Sequence, residues 1–170
     1  MTQYDPDIPA PVAFEPLHLH DTLGEIIAQQ GLRQFRLAET EKWAHVTYFF
    51  NGLTGKIFDN EERLLIPSPT VSTYDKTPAM SALKITREAV RRIKSKKYAV
   101  IVINFANADM VGHTGNFNAT IKAVETIDKC IGTIVRAARQ NSANTIITAD
   151  HGNAERKRYP NGNISTAHTT

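Results

Sequence analysis

A continuous apolar run, Ala99 to Ile103 (AVIVI), leads into a polar segment that carries Asp109 and His113. β-Branched residues bounded by polar ones, without alternation, predict a strand buried on both faces of a parallel sheet. The four-residue spacing of Asp109 and His113 puts a carboxylate and an imidazole on one side of a helical turn. The pattern recurs: Asn144–Ala149 (NTIITA) is a second β-branched run, followed at once by Asp150, His151 and Gly152. Between the two runs, Phe117, Ile121, Val124, Ile127, Ile131, Ile134 and Ala138 predict an amphipathic helix over 117–138. Strand, helix and strand read as a right-handed βαβ unit, its strands at 99–103 and 144–149 parallel and adjacent or near neighbours. Both acid–histidine sets then lie at the carboxyl edge of an α/β sheet, where such folds build their sites.

The flanking sequence fits the same class. Leu23, Ile26 and Ile27 share a helical face, with Asp21 or Thr22 as cap and Gly31 at the stop. Phe35–Ala38 and Leu64–Ile66 predict strands, residues 39–49 a short helix, and 67–79 a proline-rich loop long enough to be functional or to wrap another element. A helix over 80–94 has Leu83, Ile85, Ala89, Val90 and Ile93 on its apolar side. Gly132, inside the long helix, predicts close packing against the sheet, since it costs about 1 kcal/mol relative to alanine. Residues 1–16, with four prolines and little periodicity, read as a linker, and residues 151–170 as polar chain without a closing element.

A formal charge of +3 and scattered Lys and Arg argue against a nucleic-acid-binding face but suit a small anionic substrate. The basic set Arg87, Arg91, Arg92, Lys94, Lys96 and Lys97 reads most simply as a solvated helix face and its exit. One cysteine, Cys130, excludes an internal disulfide and reads as a small buried hydrophobe in mid-helix. No run is long enough to span a membrane and the first twenty residues lack signal-peptide character, so a cytoplasmic protein without membrane contact is expected.

Asp109, His113, Asp150, His151 and His168 form a candidate cluster for Mn²⁺ or Zn²⁺, which accept mixed carboxylate and imidazole ligands. Singly, each residue has a plainer reading, the aspartates as caps and the histidines as hydrogen-bonding groups; the combination at one sheet edge carries the case. Lys42, between Glu39 and Glu41 after a strand, is placed either for a polar cleft or for an exposed ion pair with Glu39. His18, His20 and His45 have no acidic partner at ligand spacing and read as structural or solvent-facing. Asn104, Asn107, Asn116 and Asn153 suit either substrate orientation or turns.

Six segments together resemble the cofactor-independent (2,3-bisphosphoglycerate-independent) phosphoglycerate mutases of the alkaline phosphatase superfamily. They are Ala38–Lys42 (AETEK), Phe49–Gly52 (FFNG), Ile66–Pro69 (IPSP), Asn104–Gly115 (NFANADMVGHTG), Thr148–Glu155 (TADHGNAE) and Thr166–Thr170 (TAHTT). The Asn104–Gly115 segment is specific, whereas ADHG alone marks only the superfamily. The resemblance implies a partial alkaline-phosphatase-like three-layer α/β sandwich with a mostly parallel sheet. Residues 17–170 would form part of the metal-binding domain, and residues 1–16 a linker or the tail of a missing inserted substrate domain. It implies interconversion of 3- and 2-phosphoglycerate in glycolysis and gluconeogenesis, through a phosphoserine and two divalent ions, usually manganese, in a monomeric enzyme. Asp109, His113 and His168 are then expected to hold one ion, Asp150 and His151 the other, and Lys42 to reach the phosphoryl group. Nothing here corresponds to the family's serine nucleophile or its remaining aspartate ligand, so the chain reads as a carboxyl-terminal fragment, inactive alone. Ala108 stands where a proline is usual, a change that removes no ligand. Another metal-dependent phosphatase or phosphotransferase of the superfamily, or a non-catalytic metal- or phosphate-binding remnant, are the alternatives.

Overall fold

A computed structural model describes residues 9, 11–14 and 19–169. His18 and most of the 1–16 segment lie outside the described residues, so the expected linker is not addressed by the fold. The described elements are α1 (Leu23–Gln29), β1 (Gln34–Glu39), α2 (Trp43–Val46), β2 (Glu61–Ile66), α3 (Ala82–Lys94), β3 (Val100–Ile103), α4 (Asn107–Gly112) and α5 (Phe117–Gln140). A 3₁₀ turn, Thr40–Lys42, joins β1 to α2, and another, Tyr74–Lys76, lies in the 67–79 loop.

The three strands form one parallel sheet in the order β2-β1-β3. Central β1 is buried along its whole length, and its alternating side chains separate two helical layers. Phe35 and Leu37 pack with Ile85 and Ala89 of α3 and Ile134 of α5. Gln34 and Arg36 point the other way: Gln34 Nε2 donates to the Gly24 carbonyl of α1 at 2.7 Å. A Cβ on Gly24 would come within 2.8 Å of Arg36 Nη2, so only glycine lets α1 lie this close. Arg36 is itself buried, 3.9 Å from Glu61 and stacked on the Phe50 ring at 4.4 Å. Helix, sheet and helix make the expected three-layer α/β sandwich.

The run Asn144–Ala149 corrects the expected βαβ unit. It forms no strand, and Ile146 and Ile147 are 92% and 63% exposed. Between it and β3 opens a groove of about 1280 Å³, walled by Ile103 on the sheet side and by Ile131 and Val135 of α5. β-Branched composition favours a pleated surface, but a strand exists only where a neighbouring backbone completes its ladder. Among the described residues no backbone pairs with 144–149, and β3 is an edge of the sheet.

Three expected packing faces also shift. Leu83 is 61% exposed, and α3 buries Ala82 and Thr86 alongside Ile85 and Ala89 instead. On α5 the small residues Ala119, Ala123, Cys130 and Ala137 are buried, while Phe117, Ile121 and Val124 face outward. Gly132 marks no close packing, because a Cβ there would meet only Arg136 Nη1, at 3.7 Å. Gly132→Ala should therefore stabilise the chain by about 1 kcal/mol, read as a higher urea midpoint at unchanged slope.

The 67–79 loop wraps the carboxyl end of β1, one of the two roles its length allows. Ser68 Oγ donates to Glu39 at 2.9 Å, Ser81 Oγ to the Pro67 carbonyl at 2.7 Å, and Tyr74 Oη to Glu41 at 2.6 Å. The bond to the Glu41 carboxylate, reinforced by partial burial and nearby negative charge, pushes the Tyr74 phenol up to about 12. Its contribution to stability is complete below pH 10, the ordinary tyrosine range, and is lost as pH rises through about 12. Ultraviolet titration of wild type against Tyr74→Phe should show one late phenolate step absent from the variant.

Candidate metal centre

The segment after β3 turns at once into α4, and the four-residue spacing brings Asp109 and His113 onto the same side, as expected. His113 Nε2 lies 2.9 Å from Asp109 Oδ1. His168 arrives from the far end of the chain. Residues 152–169 double back as an irregular hairpin, held by antiparallel bridges between Gly152 and Thr169 and between Arg158 and Ile164. Its tip, Tyr159-Pro160-Asn161-Gly162, has Gly162 at φ +83°, the left-handed conformation glycine adopts freely. The hairpin sets His168 beside His151, rings stacked at 3.7 Å, and puts His168 Nε2 3.1 Å from Asp109 Oδ1 and 3.0 Å from His113 Nε2. Asp109, His151 and His168 each offer a ligand atom within 4.8 Å of the others, forming one partial metal-binding site.

The tautomer of His113 is set by its surroundings. Nδ1 sits 2.6 Å from the Thr166 carbonyl oxygen, which only accepts, so Nδ1 carries the proton. In that tautomer Nε2 presents a lone pair towards a carboxylate oxygen and a second imidazole nitrogen. Three electron-rich atoms converging at about 3 Å are mutually repulsive unless a proton or cation lies among them. A carboxylate and imidazoles, one oriented by a backbone carbonyl, are a donor set that fits a borderline divalent ion.

Lys42 is only 5% exposed, and its ammonium lies 2.5 Å from the other Asp109 oxygen, Oδ2. The alternative of an exposed pair with Glu39 is not what forms. Burial by itself would raise the Asp109 carboxyl, but hydrogen bonds from Lys42 and Asn153 and the charge of Lys42 outweigh it and hold the group at about 2. Asp150 is 46% exposed by side chain and lies 3.6 Å from His151 Nε2 and 3.6 Å from His45 Nε2. Lys42, Asp109, Asp150 and His151 all line the groove.

His45 therefore corrects the sequence reading that set it aside. Burial first, then the charge of Lys42, lower its pKa. The signal was present in its position, one turn beyond Lys42. Of the four asparagines, Asn116 caps α5 by accepting from Ala119 N at 3.1 Å, and Asn107 donates to the Pro78 carbonyl at 2.7 Å. Asn153 instead touches Asp109. Lys157, unmarked in the sequence, is buried behind it. Half of the basic set is tied down, Arg91 on Glu88 at 2.8 Å, Arg92 over the Phe35 ring at 4.4 Å and Lys97 on Glu62 at 2.6 Å.

A parallel three-layer sandwich with an acid–histidine cluster at its carboxyl edge defines a metalloenzyme of the alkaline phosphatase type; residues 13–170 match the metalloenzyme superfamily, and the chain belongs to it. Within that class its strong homology is to the 2,3-bisphosphoglycerate-independent phosphoglycerate mutases. It is 58% identical over 170 residues to the one from Moorella thermoacetica and 56% identical over 169 residues to the one from Thermosynechococcus vestitus. The match covers 100% and 99% of this chain but 33% and 32% of those proteins, so the chain spans about one third of the curated relatives. Among solved structures, a Leishmania mexicana phosphoglycerate mutase, crystallised at low cobalt concentration, superposes with a TM-score of 0.89 at 36% identity. That superposition covers 99% of this chain and 34% of the Leishmania chain.

Proposed function

We propose that these residues supply the metal-binding part of a cofactor-independent phosphoglycerate mutase, which interconverts 3- and 2-phosphoglycerate in the cytoplasm as a glycolytic and gluconeogenic enzyme. The observation that carries this is the convergence of Asp109, His113 and His168 on one point, with the Lys42 ammonium on the second oxygen of the same carboxylate. Asp109, His113 and His168 would hold one divalent ion, and Asp150 and His151 contribute to a second, with Mn²⁺ the expected metal. Bound metal would lower the pKa of an attacking hydroxyl and offset charge on the phosphoryl oxygens.

The chain's own residues do the rest. Lys42 holds a positive charge at the groove wall, fixed by the Asp109 carboxylate and so already oriented when phosphoryl charge develops. Thr166 keeps the His113 ring in one tautomer and one orientation. The phosphoserine step needs a nucleophile, and the serines in the conspicuous loops are engaged elsewhere: Ser68 Oγ donates to Glu39, Ser72 Oγ accepts from Lys76, and Ser165 is 1% exposed. The serine is assigned to the part of the enzyme outside these residues.

The test is a chimaera in which this chain replaces the corresponding third of the Moorella relative. With Mn²⁺ it should convert 3- to 2-phosphoglycerate in an enolase-coupled assay. A folded, Mn²⁺-binding chimaera that only hydrolyses phosphate esters would replace this reading with a phosphatase. The 170-residue chain alone should show no turnover.

A further inference from the structure

We infer that Asn153 is the positioning residue of the metal ligand Asp109, held in place by the Lys157 ammonium and admitted by the missing side chain of Gly112. The inference rests on the reading of Asp109 as a ligand. Asn153 Nδ2 donates to Asp109 Oδ1 at 2.7 Å and approaches the Asp109 carbonyl at 3.3 Å. Oδ1 is the same oxygen that faces His113 and His168, so this bond sets where the ligand atom sits and which of its lone pairs remains free. The other end of the amide is fixed as well. Lys157, 7% exposed, places Nζ 2.9 Å from Asn153 Oδ1 and 2.6 Å from the Gly112 carbonyl. An ammonium only donates, so the atom facing it is the amide oxygen, and the NH₂ must face Asp109.

Gly112 completes the clamp. A Cβ built there would fall 2.6 Å from Asn153 Oδ1 and 2.9 Å from its Cγ. The Gly112 backbone needs no left-handed angle, so alanine would suit the end of α4 by its conformation. Its obstacle is the amide alone, which Lys157 and Asp109 prevent from swinging aside. Gly112, Asn153 and Lys157 thus lock the turn that carries Asp109 and His113 to the hairpin that carries His168.

A double-mutant cycle on Mn²⁺ affinity tests this, measured by electron paramagnetic resonance titration of the full chain, with metal-free melting curves as the check on folding. Asn153→Ala should weaken Mn²⁺ binding by roughly 10–100-fold, the usual consequence of removing a partner of a metal ligand. Gly112→Ala should weaken it comparably in the wild type but less than about 2-fold in the Asn153→Ala background, where the added methyl meets no amide. Lys157→Met should give a loss of the same sign, abolished in that same background. A Gly112→Ala penalty that persists without the amide would mean general disruption of α4, and would overturn the inference. So would unchanged affinity in folded Asn153→Ala. Wild type that takes up no Mn²⁺ would instead remove the reading of Asp109 as a ligand.

Discussion

Asp109→Ala should cost the chain both its Mn²⁺ uptake and a large part of its stability. One carboxylate serves both. Its Oδ1 is the atom on which His113 and His168 converge, and its Oδ2 neutralises the Lys42 ammonium. Truncation leaves that ammonium, 6% exposed by side chain, without its counter-charge. Stranding one member of a buried pair costs about 3–5 kcal/mol. His113→Ala makes the contrast, since His113 is 38% exposed by side chain and pairs with no buried cation. It should lose metal affinity with little change in the metal-free urea midpoint. Calorimetric Mn²⁺ titrations and urea curves of both variants check this, and undiminished binding in either refutes its assignment as a ligand.

The same carboxylate predicts an acid limit. Its folded pKa of about 2 lies below the ordinary 3.8, so its stabilisation is complete above about pH 4 and is lost as pH falls towards 2. Asp109→Asn should lack this step in metal-free acid unfolding.

Lys42→Ala should separate metal binding from catalysis. In the chimaera, kcat should fall on the order of 10²–10³-fold, the scale for losing one oriented charge at a developing oxyanion. Mn²⁺ affinity should hold, because Oδ1 keeps both histidines and Asn153, while Oδ2 only loses a competitor. A rise in KM with kcat intact would make Lys42 a uniform binder of substrate.

Much of this was written into short stretches of sequence. AVIVI read as a strand of a parallel sheet, and it is one, but at the sheet edge and half-buried rather than covered on both faces. Asp109 and His113 read as partners because four residues make about one helical turn. Their pairing needed no more than local geometry, and the six motifs carried the family resemblance over the length of the chain. Cys130 lay on a buried helix face because the helical period put it there.

What lay beyond the sequence depended on groups distant along the chain. NTIITA has the composition of a strand, but hydrogen-bonding partners, absent beside it here, make one. His45 looked idle because the acid it approaches, Asp150, is far away in sequence. Gly132 looked like a packing glycine and is not, whereas Gly112 is one, because only the folded chain puts Asn153 against it. The Asp109–His113 pair is local, but the approach of a second imidazole waits on the hairpin at 152–169, which carries His168 back across the carboxyl edge of the sheet. Local spacing determines which side chains share a turn; long-range backbone pairing determines which turns meet.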